Sequence, residues 1–93
     1  MRAAIDGEAI ATRGALHDAL AEQLSLPSWY GRNLDALYDS LTDLDEETEL
    51  HILHAAALRT RLGRYAGAFL RVLRDVEEEN PRFHLILISN QND

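Results

Sequence analysis

Residues 83–88 read Phe83-His84-Leu85-Ile86-Leu87-Ile88, a run in which five of six side chains are apolar. Such a run is typical of a strand covered on both faces in a parallel sheet. Shorter apolar segments at Ala3–Ile5 and Glu49–His54 predict two further strands. Because these strands alternate with helical patterns, the sequence predicts an α/β fold, a small three-stranded parallel sheet packed with about four helices.

The helical segments are marked by apolar residues at helical spacing and by local start and stop signals. The first is expected from about Arg13 to Leu24, because Thr12 is a good N-cap and Pro27 disfavours helical backbone before it. Two later helices are expected at Ala55–Leu62 and from about Tyr65 to Glu79. At 93 residues the chain is expected to form a single domain, residues 1–93.

The second helix is expected directly after Asn33, a residue type that caps helix N-termini. Its apolar stripe consists of Leu34, Leu37, Tyr38 and Leu41. Asp35, Asp39 and Asp43 follow at four-residue spacing on a separate face. Like charges at this spacing destabilise a helix by about 0.2–0.5 kcal/mol per pair. The pattern therefore fits a face kept for a partner, and it also fits an ordinary solvated acidic face.

The charge of the chain points to the kind of partner it can have. The formal net charge is −7, and no arginine or lysine occurs between Arg32 and Arg59, where acidic residues concentrate. A nucleic acid would be repelled by this charge, whereas a basic protein would be attracted. Solubility alone would also explain an acidic surface. We expect a protein partner and no nucleic acid.

The residues that usually carry catalysis are absent or poorly placed. There is no cysteine, which excludes thiol catalysis, disulfides and zinc–thiolate sites. His51 and His54 are three apart on a predicted strand, so their side chains should point to opposite faces. A magnesium-dependent hydrolase using Asp35 and Asp39 is conceivable, but no phosphate-binding glycine motif accompanies them. We expect no catalytic residue, no metal, no cofactor and no enzyme activity.

The sequence also bears on location. It contains no apolar run long enough to span a bilayer and no N-terminal signal pattern. We therefore expect no membrane association and a cytoplasmic protein.

The stretch from Leu24 to Thr42, LSLPSWYGRNLDALYDSLT, closely resembles the signature region of the barstar family of ribonuclease inhibitors. The shared pattern is an aromatic residue, Tyr-Gly, one variable position, and then Asn-Leu-Asp-Ala-Leu-aromatic-Asp, which runs here from Trp29 to Asp39. The resemblance implies a three-stranded parallel sheet packed with helices. It also implies a protein that binds a small microbial ribonuclease in the cytoplasm and blocks its active site.

The resemblance assigns the contact to the second helix and the loop before it. Asp39 would enter the phosphate-binding pocket of the enzyme, Asp35 would pair with a basic residue nearby, and Trp29 would stack at the cleft. The other partner-binding residues that it implies are Gly31, Asn33, Leu34, Tyr38, Thr42, Val72 and Asp75. The partner would be a basic extracellular or toxin-type ribonuclease that is barnase-like. The alternative is an immunity or regulatory binding module for a non-ribonuclease toxin or another basic protein.

This chain departs from the usual family pattern at four positions. Trp29 stands where tyrosine is frequent, Tyr38 where tryptophan is usual, and Asp75 where glutamate is usual. Arg32 adds a positive charge inside the contact loop. These changes predict a partner related to the best-known target but not identical with it. Within the loop, Tyr30 is expected in the core and Trp29 at the surface.

Overall fold

In a computed structural model of the chain, which describes residues 1–88, three parallel strands form one sheet. They are β1 (Arg2–Asp6), β2 (Thr48–Leu53) and β3 (Phe83–Ile88), in the spatial order β1-β2-β3. Leu50 pairs with Ala3 on one side and with Leu85 on the other. The strand β2 is therefore central, and the predicted three-stranded parallel sheet is confirmed.

The four predicted helices are also confirmed. They are α1 (Arg13–Gln23), α2 (Leu34–Thr42), α3 (Ala55–Leu62) and α4 (Arg64–Glu79), and a short 3-10 helix spans Gly7–Ala9. Both predicted caps form, because the hydroxyl of Thr12 and the side-chain carbonyl of Asn33 each accept a hydrogen bond from the backbone N–H three residues later, at 3.0 and 2.8 Å.

Strand β2 begins and ends one residue earlier than the sequence predicts. His54 was expected to close the strand, but its φ of 56° lies in the left-handed region, and it serves as the N-cap residue of α3. Extended backbone cannot continue through such a residue. The strand therefore ends at Leu53.

The prediction that β3 is covered on both faces was wrong. Phe83 and Leu85 are buried, whereas Ile86, Leu87 and Ile88 are 36–40% exposed. On β1 and β2, burial alternates along each strand, which means that one face of the sheet is covered more fully than the other. An unbroken apolar run marks a strand, but it does not distinguish a central strand from the edge strand found here.

The helices pack against one another and against the sheet so that one side of α2 is fixed. α2 and α3 contact α4, and α1 contacts β1. Leu37 and Leu41 of α2 are fully buried, as are Phe69 and Leu73 of α4. Each large apolar side chain buried in this way contributes about 1.5–3 kcal/mol. The apolar stripe thus holds the opposite side of α2 toward solvent.

A buried amide ties the end of α2 to the end of α4. The Nδ2 group of Asn80 donates hydrogen bonds of 3.0 Å to the carbonyl oxygens of both Leu41 and Leu44, and Oδ1 accepts one from the N–H of Arg82. These bonds give buried partners to carbonyl groups in the segment where α2 ends. Asn80 directly follows the last helix expected from the sequence, which gives no sign of this contact.

Each edge strand donates a backbone hydrogen bond to a helix side chain. The side-chain carbonyl of Gln23, at the end of α1, accepts from the N–H of Ala4 at 3.3 Å. The carboxylate of Glu77, on α4, accepts from the N–H of Leu85 at 2.7 Å. A backbone donor on each edge is therefore occupied from within the chain.

Within residues 1–88, no helix combines the length and the apolar character needed to cross a bilayer.

Candidate functional site

The loop between α1 and α2 turns two adjacent aromatic residues in opposite directions. Tyr30 is 7% exposed and belongs to the core, whereas Trp29 is 83% exposed. The expectation for both residues is confirmed. Large aromatic side chains are seldom left so open in a folded protein, and they are enriched at protein interfaces. Trp29 is therefore the most conspicuous apolar group of the loop.

A buried hydrogen-bond chain holds this loop in place. The imidazole of His17, only 1% exposed, has Nδ1 2.6 Å from the phenol oxygen of Tyr30 and Nε2 2.6 Å from that of Tyr65. The three side chains come from α1, the loop and α4, so the two hydrogen bonds link three parts of the fold. The sequence gives no sign of this link, because Tyr65 is 48 residues away from His17.

The protonation states of His17, Tyr30 and Tyr65 follow from the burial of these side chains. Removal from water, and then the nearby positive charge of Arg32, lower the pKa of His17, while burial raises the pKa of Tyr30 to about 12. The imidazole is therefore neutral near pH 7, and one ring nitrogen donates while the other accepts. Both phenols stay protonated, so one of them donates to the accepting ring nitrogen while the oxygen of the other accepts from the ring N–H.

The turn into α2 is closely packed. A Cβ atom at Gly31 would lie 3.1 Å from the Cβ of Ala36, so a larger residue would press on the first turn of α2. The Nδ2 group of Asn33 donates to the carbonyl oxygen of Gly31 at 3.2 Å while its Oδ1 caps the helix. Arg32 has a φ of 55°, and its guanidinium pairs with the carboxylate of Asp18. The positive charge of Arg32 is thus paired with a carboxylate of the same chain.

The acidic side chains of α2 are exposed but do not all face one cavity. Asp35 lines a hollow of about 540 Å³ together with Arg13, Arg32 and Tyr65. Asp39 lines a second hollow, of about 470 Å³, together with Trp29. Neither carboxylate forms an ion pair within residues 1–88. The exposed acidic face expected from the sequence is present, but Asp35 and Asp39 line two different hollows.

Tyr38 connects this row with α4. It is half-buried, and its pKa is raised, first by burial and then by the negative charges of Glu79, Asp75 and Asp39. The structure therefore brings Asp75 of α4 within electrostatic reach of α2. Val72, one turn before Asp75, is half-buried against the core.

Two other predicted residues have largely internal contacts. The hydroxyl of Thr42 donates to the carbonyl oxygens of Tyr38 and Asp39 at 2.9 and 3.2 Å. Leu34 is half-buried and packs against the core. Both lie at the margins of the exposed face rather than at its centre.

A group of possible metal ligands lies elsewhere and does not include Asp35 or Asp39. Asp6, Glu8 and His54 have ligand atoms within 4.8 Å of one another at the carboxyl ends of β1 and β2. The Nδ1 atom of His54 and an oxygen of Asp6 are 2.8 Å apart, which is an ordinary hydrogen bond that explains the arrangement. His51 bonds to Glu49 instead, so the two histidines face different partners.

Comparison of the sequence with known proteins shows what the chain is similar to. Residues 1–88 match the family model described as Barstar (barnase inhibitor). A Bacillus subtilis (strain 168) protein named "Putative ribonuclease inhibitor YrdF" is 41% identical over 76 residues, which cover 81% of this chain and 84% of that protein. Proteins of the matching family are inhibitors and not enzymes, which confirms the expectation that the chain has no enzyme activity.

Proposed function

The chain belongs to the barstar family, and from that premise we propose that it is a protein inhibitor of a ribonuclease. Residues 1–93 act as one domain that covers the active-site cleft of the enzyme. One observation carries the proposal for the contact surface. Asp35 and Asp39 are exposed on a rigidly packed helix and have no ion-pair partner within residues 1–88.

The chemistry of the target explains why carboxylates are used. A ribonuclease cleft holds a phosphodiester and is therefore basic. The carboxylate of Asp39 takes the place of a phosphate in that cleft, and Asp35 pairs with a basic residue beside it. Contacts between arginine and a carboxylate are charge-assisted and can be bidentate, which gives geometric selectivity as well as strength.

The surrounding residues complete the contact surface. Trp29 stacks at the mouth of the cleft, and its exposure supports this role. Gly31 and Asn33 make close contacts at the turn, and Val72 and Asp75 reach the enzyme from α4. Leu34, Tyr38 and Thr42 flank the centre, where their half-burial favours packing at the rim.

The surface is preorganised, which favours tight binding. His17 and Tyr65 hold Tyr30, and Asn33 caps α2, so the loop has little freedom to lose on association. Rigid contact surfaces reduce the entropy lost on binding.

The partner and the place of action follow from charge and chemistry. The partner is a basic extracellular or toxin-type ribonuclease that is barnase-like, and the inhibitor acts in the cytoplasm, where RNA must be protected. The net charge of −7 speeds the approach of such an enzyme, and this attraction weakens with salt.

The test is an inhibition assay with purified chain and barnase, the enzyme named by the family description. We expect inhibition by the wild type and at least about a tenfold loss with Asp39→Ala, because a hydrogen bond to a charged group contributes about 1.5–3 kcal/mol. Asp45→Ala, which removes an exposed acid outside the proposed contacts, is the matched control. Full inhibition by Asp39→Ala would refute the assigned surface. Failure of the wild type against a panel of small basic ribonucleases would favour an immunity module for another toxin.

A further inference from the structure

The hollow beside Trp29 is lined by several residues that are not among the proposed contacts. It measures about 470 Å³, and its lining includes the apolar side chains of Leu24, Leu26 and Leu44. Trp29, Asp39 and Asp43 also line it. A hollow with apolar walls, one exposed aromatic ring and two carboxylates presents both apolar surface and negative charge. Within residues 1–88, no basic residue lines it.

Asp43 is held there at an electrostatic disadvantage. It is the C-cap residue of α2, where the partial negative charge of the helix end disfavours a carboxylate. It also lies one turn from Asp39, and within residues 1–88 no basic group pairs with either carboxylate. Its acidic neighbours Glu46 and Glu47 differ, since they meet the N-terminal ammonium and His84.

We propose that this hollow receives an arginine side chain of the partner, held between the carboxylates of Asp39 and Asp43 and the indole ring of Trp29. The inference rests on the proposed function and adds a contact residue, Asp43, together with the chemistry of the group that it meets. The charge of the cavity selects a cation. Among cations, a planar guanidinium both stacks on an indole and forms paired hydrogen bonds with carboxylates.

The walls of the hollow support the same choice of occupant. The half-buried residues Leu26 and Leu44 offer apolar contact for the methylene stem of an arginine. The indole then covers the guanidinium face, and the carboxylates bind its edge. A carboxylate of the partner would instead meet two like charges, and a purely apolar group would leave both aspartates without a counter-ion.

The first experiment uses the isolated chain. Trp29 is its only tryptophan, so fluorescence reports directly on the hollow. N-acetyl-arginine amide, its lysine counterpart and neutral N-acetyl-citrulline amide are titrated at constant ionic strength, with NMR shifts of Gly31 and Ser40 as a second signal. We expect a saturating response to the arginine compound alone, weakened about threefold or more in Asp43→Asn and unchanged in Asp45→Asn. Equal responses to arginine and citrulline, or no change in Asp43→Asn, would overturn the proposal, and a stronger response to lysine would overturn the choice of arginine.

The second experiment separates this inference from the function on which it rests. Binding of barnase is measured for the wild type, Asp43→Asn and Asp45→Asn at low and high salt. We expect Asp43→Asn to raise Kd by about five- to tenfold at both salt concentrations, and Asp45→Asn to have a small effect that high salt removes. If the wild type binds tightly and the two variants change Kd equally, the arginine site in the hollow is contradicted. The inhibitor function is not affected by that result. Absence of barnase binding together with an arginine-specific response contradicts the target and leaves the hollow intact.

Discussion

The phenol of Tyr30 and the imidazole of His17 meet at 2.6 Å in the core, and this bond lies one residue from the exposed indole of Trp29. The residue next to Trp29 is therefore anchored by a polar contact that is itself shielded from water. A change at the buried end should be felt both in stability and in the orientation of the loop.

Tyr30→Phe tests this link at the level of stability. The substitution keeps the ring but removes the hydroxyl, which leaves Nδ1 of His17 without its partner in the core. We expect the free energy of unfolding to fall by about 1–3 kcal/mol, measured by urea denaturation. Tyr38→Phe removes a hydroxyl from a half-buried tyrosine and should have a smaller effect. Equal losses in the two variants would contradict the role given to the buried bond.

The pKa of His17 predicts how stability depends on pH. Burial lowers this pKa from its ordinary value of 6.5, so below that pH the unfolded chain binds a proton that the folded chain excludes. The stabilisation is complete above pH 6.5 and is lost as the pH falls from there toward the folded-state pKa. Urea denaturation from pH 7.5 to 5 should show this loss. His17→Gln should show a flatter profile over that range, and an unchanged slope in the variant would exclude His17 as the source.

Asn80 provides a test of the connection between α2 and α4. Asn80→Ala leaves the carbonyl oxygens of Leu41 and Leu44 without their buried donor, and we expect a loss of about 2–3 kcal/mol in the free energy of unfolding. Asn80→Asp should be worse, because a carboxylate would face those carbonyl oxygens. Asn33→Ala removes an exposed cap and should cost only about 1 kcal/mol. A milder effect of the aspartate than of the alanine would show that the donor role is misassigned.

Two glycines, Gly7 directly after β1 and Gly67 inside α4, give a matched pair with opposite expected effects. A Cβ atom at Gly7 would lie 2.2 Å from the carbonyl oxygen of His54, so Gly7→Ala must displace backbone and should lower the free energy of unfolding by more than about 2 kcal/mol. Gly67 lies inside α4, and a Cβ atom there meets nothing within 4 Å. Gly67→Ala should therefore stabilise the chain by about 0.5–1 kcal/mol. Thermal unfolding of the two variants, with opposite shifts expected, checks both statements.

The extent to which the fold was predictable reflects what local sequence carries. Helical periodicity and capping residues such as Thr12 and Asn33 located the helices to within about a residue, because these signals act over a few neighbouring positions. Which face of β3 is covered depends on the order of strands, and that is decided by contacts between distant segments. For this reason the apolar run ending at Ile88 was read as fully covered when it is partly exposed.

The candidate site divides in the same way. The exposure of Asp35 and Asp39 follows from the stripe of apolar residues on the other side of α2, which the sequence displays directly. The partition of these acids between two hollows was not predictable, because it depends on where the preceding loop places Arg32 and Trp29. Nor could the sequence relate Tyr65 to the loop, since the contact spans 48 residues.

The hydrogen bonds that the two edge strands donate to Gln23 and Glu77 have a consequence for the protein at high concentration. A sheet with open edges can recruit another chain strand by strand and grow into aggregates. Here a foreign strand would first have to displace an amide or a carboxylate that belongs to the same molecule. These two side chains therefore hinder the addition of a foreign strand at both edges of the sheet.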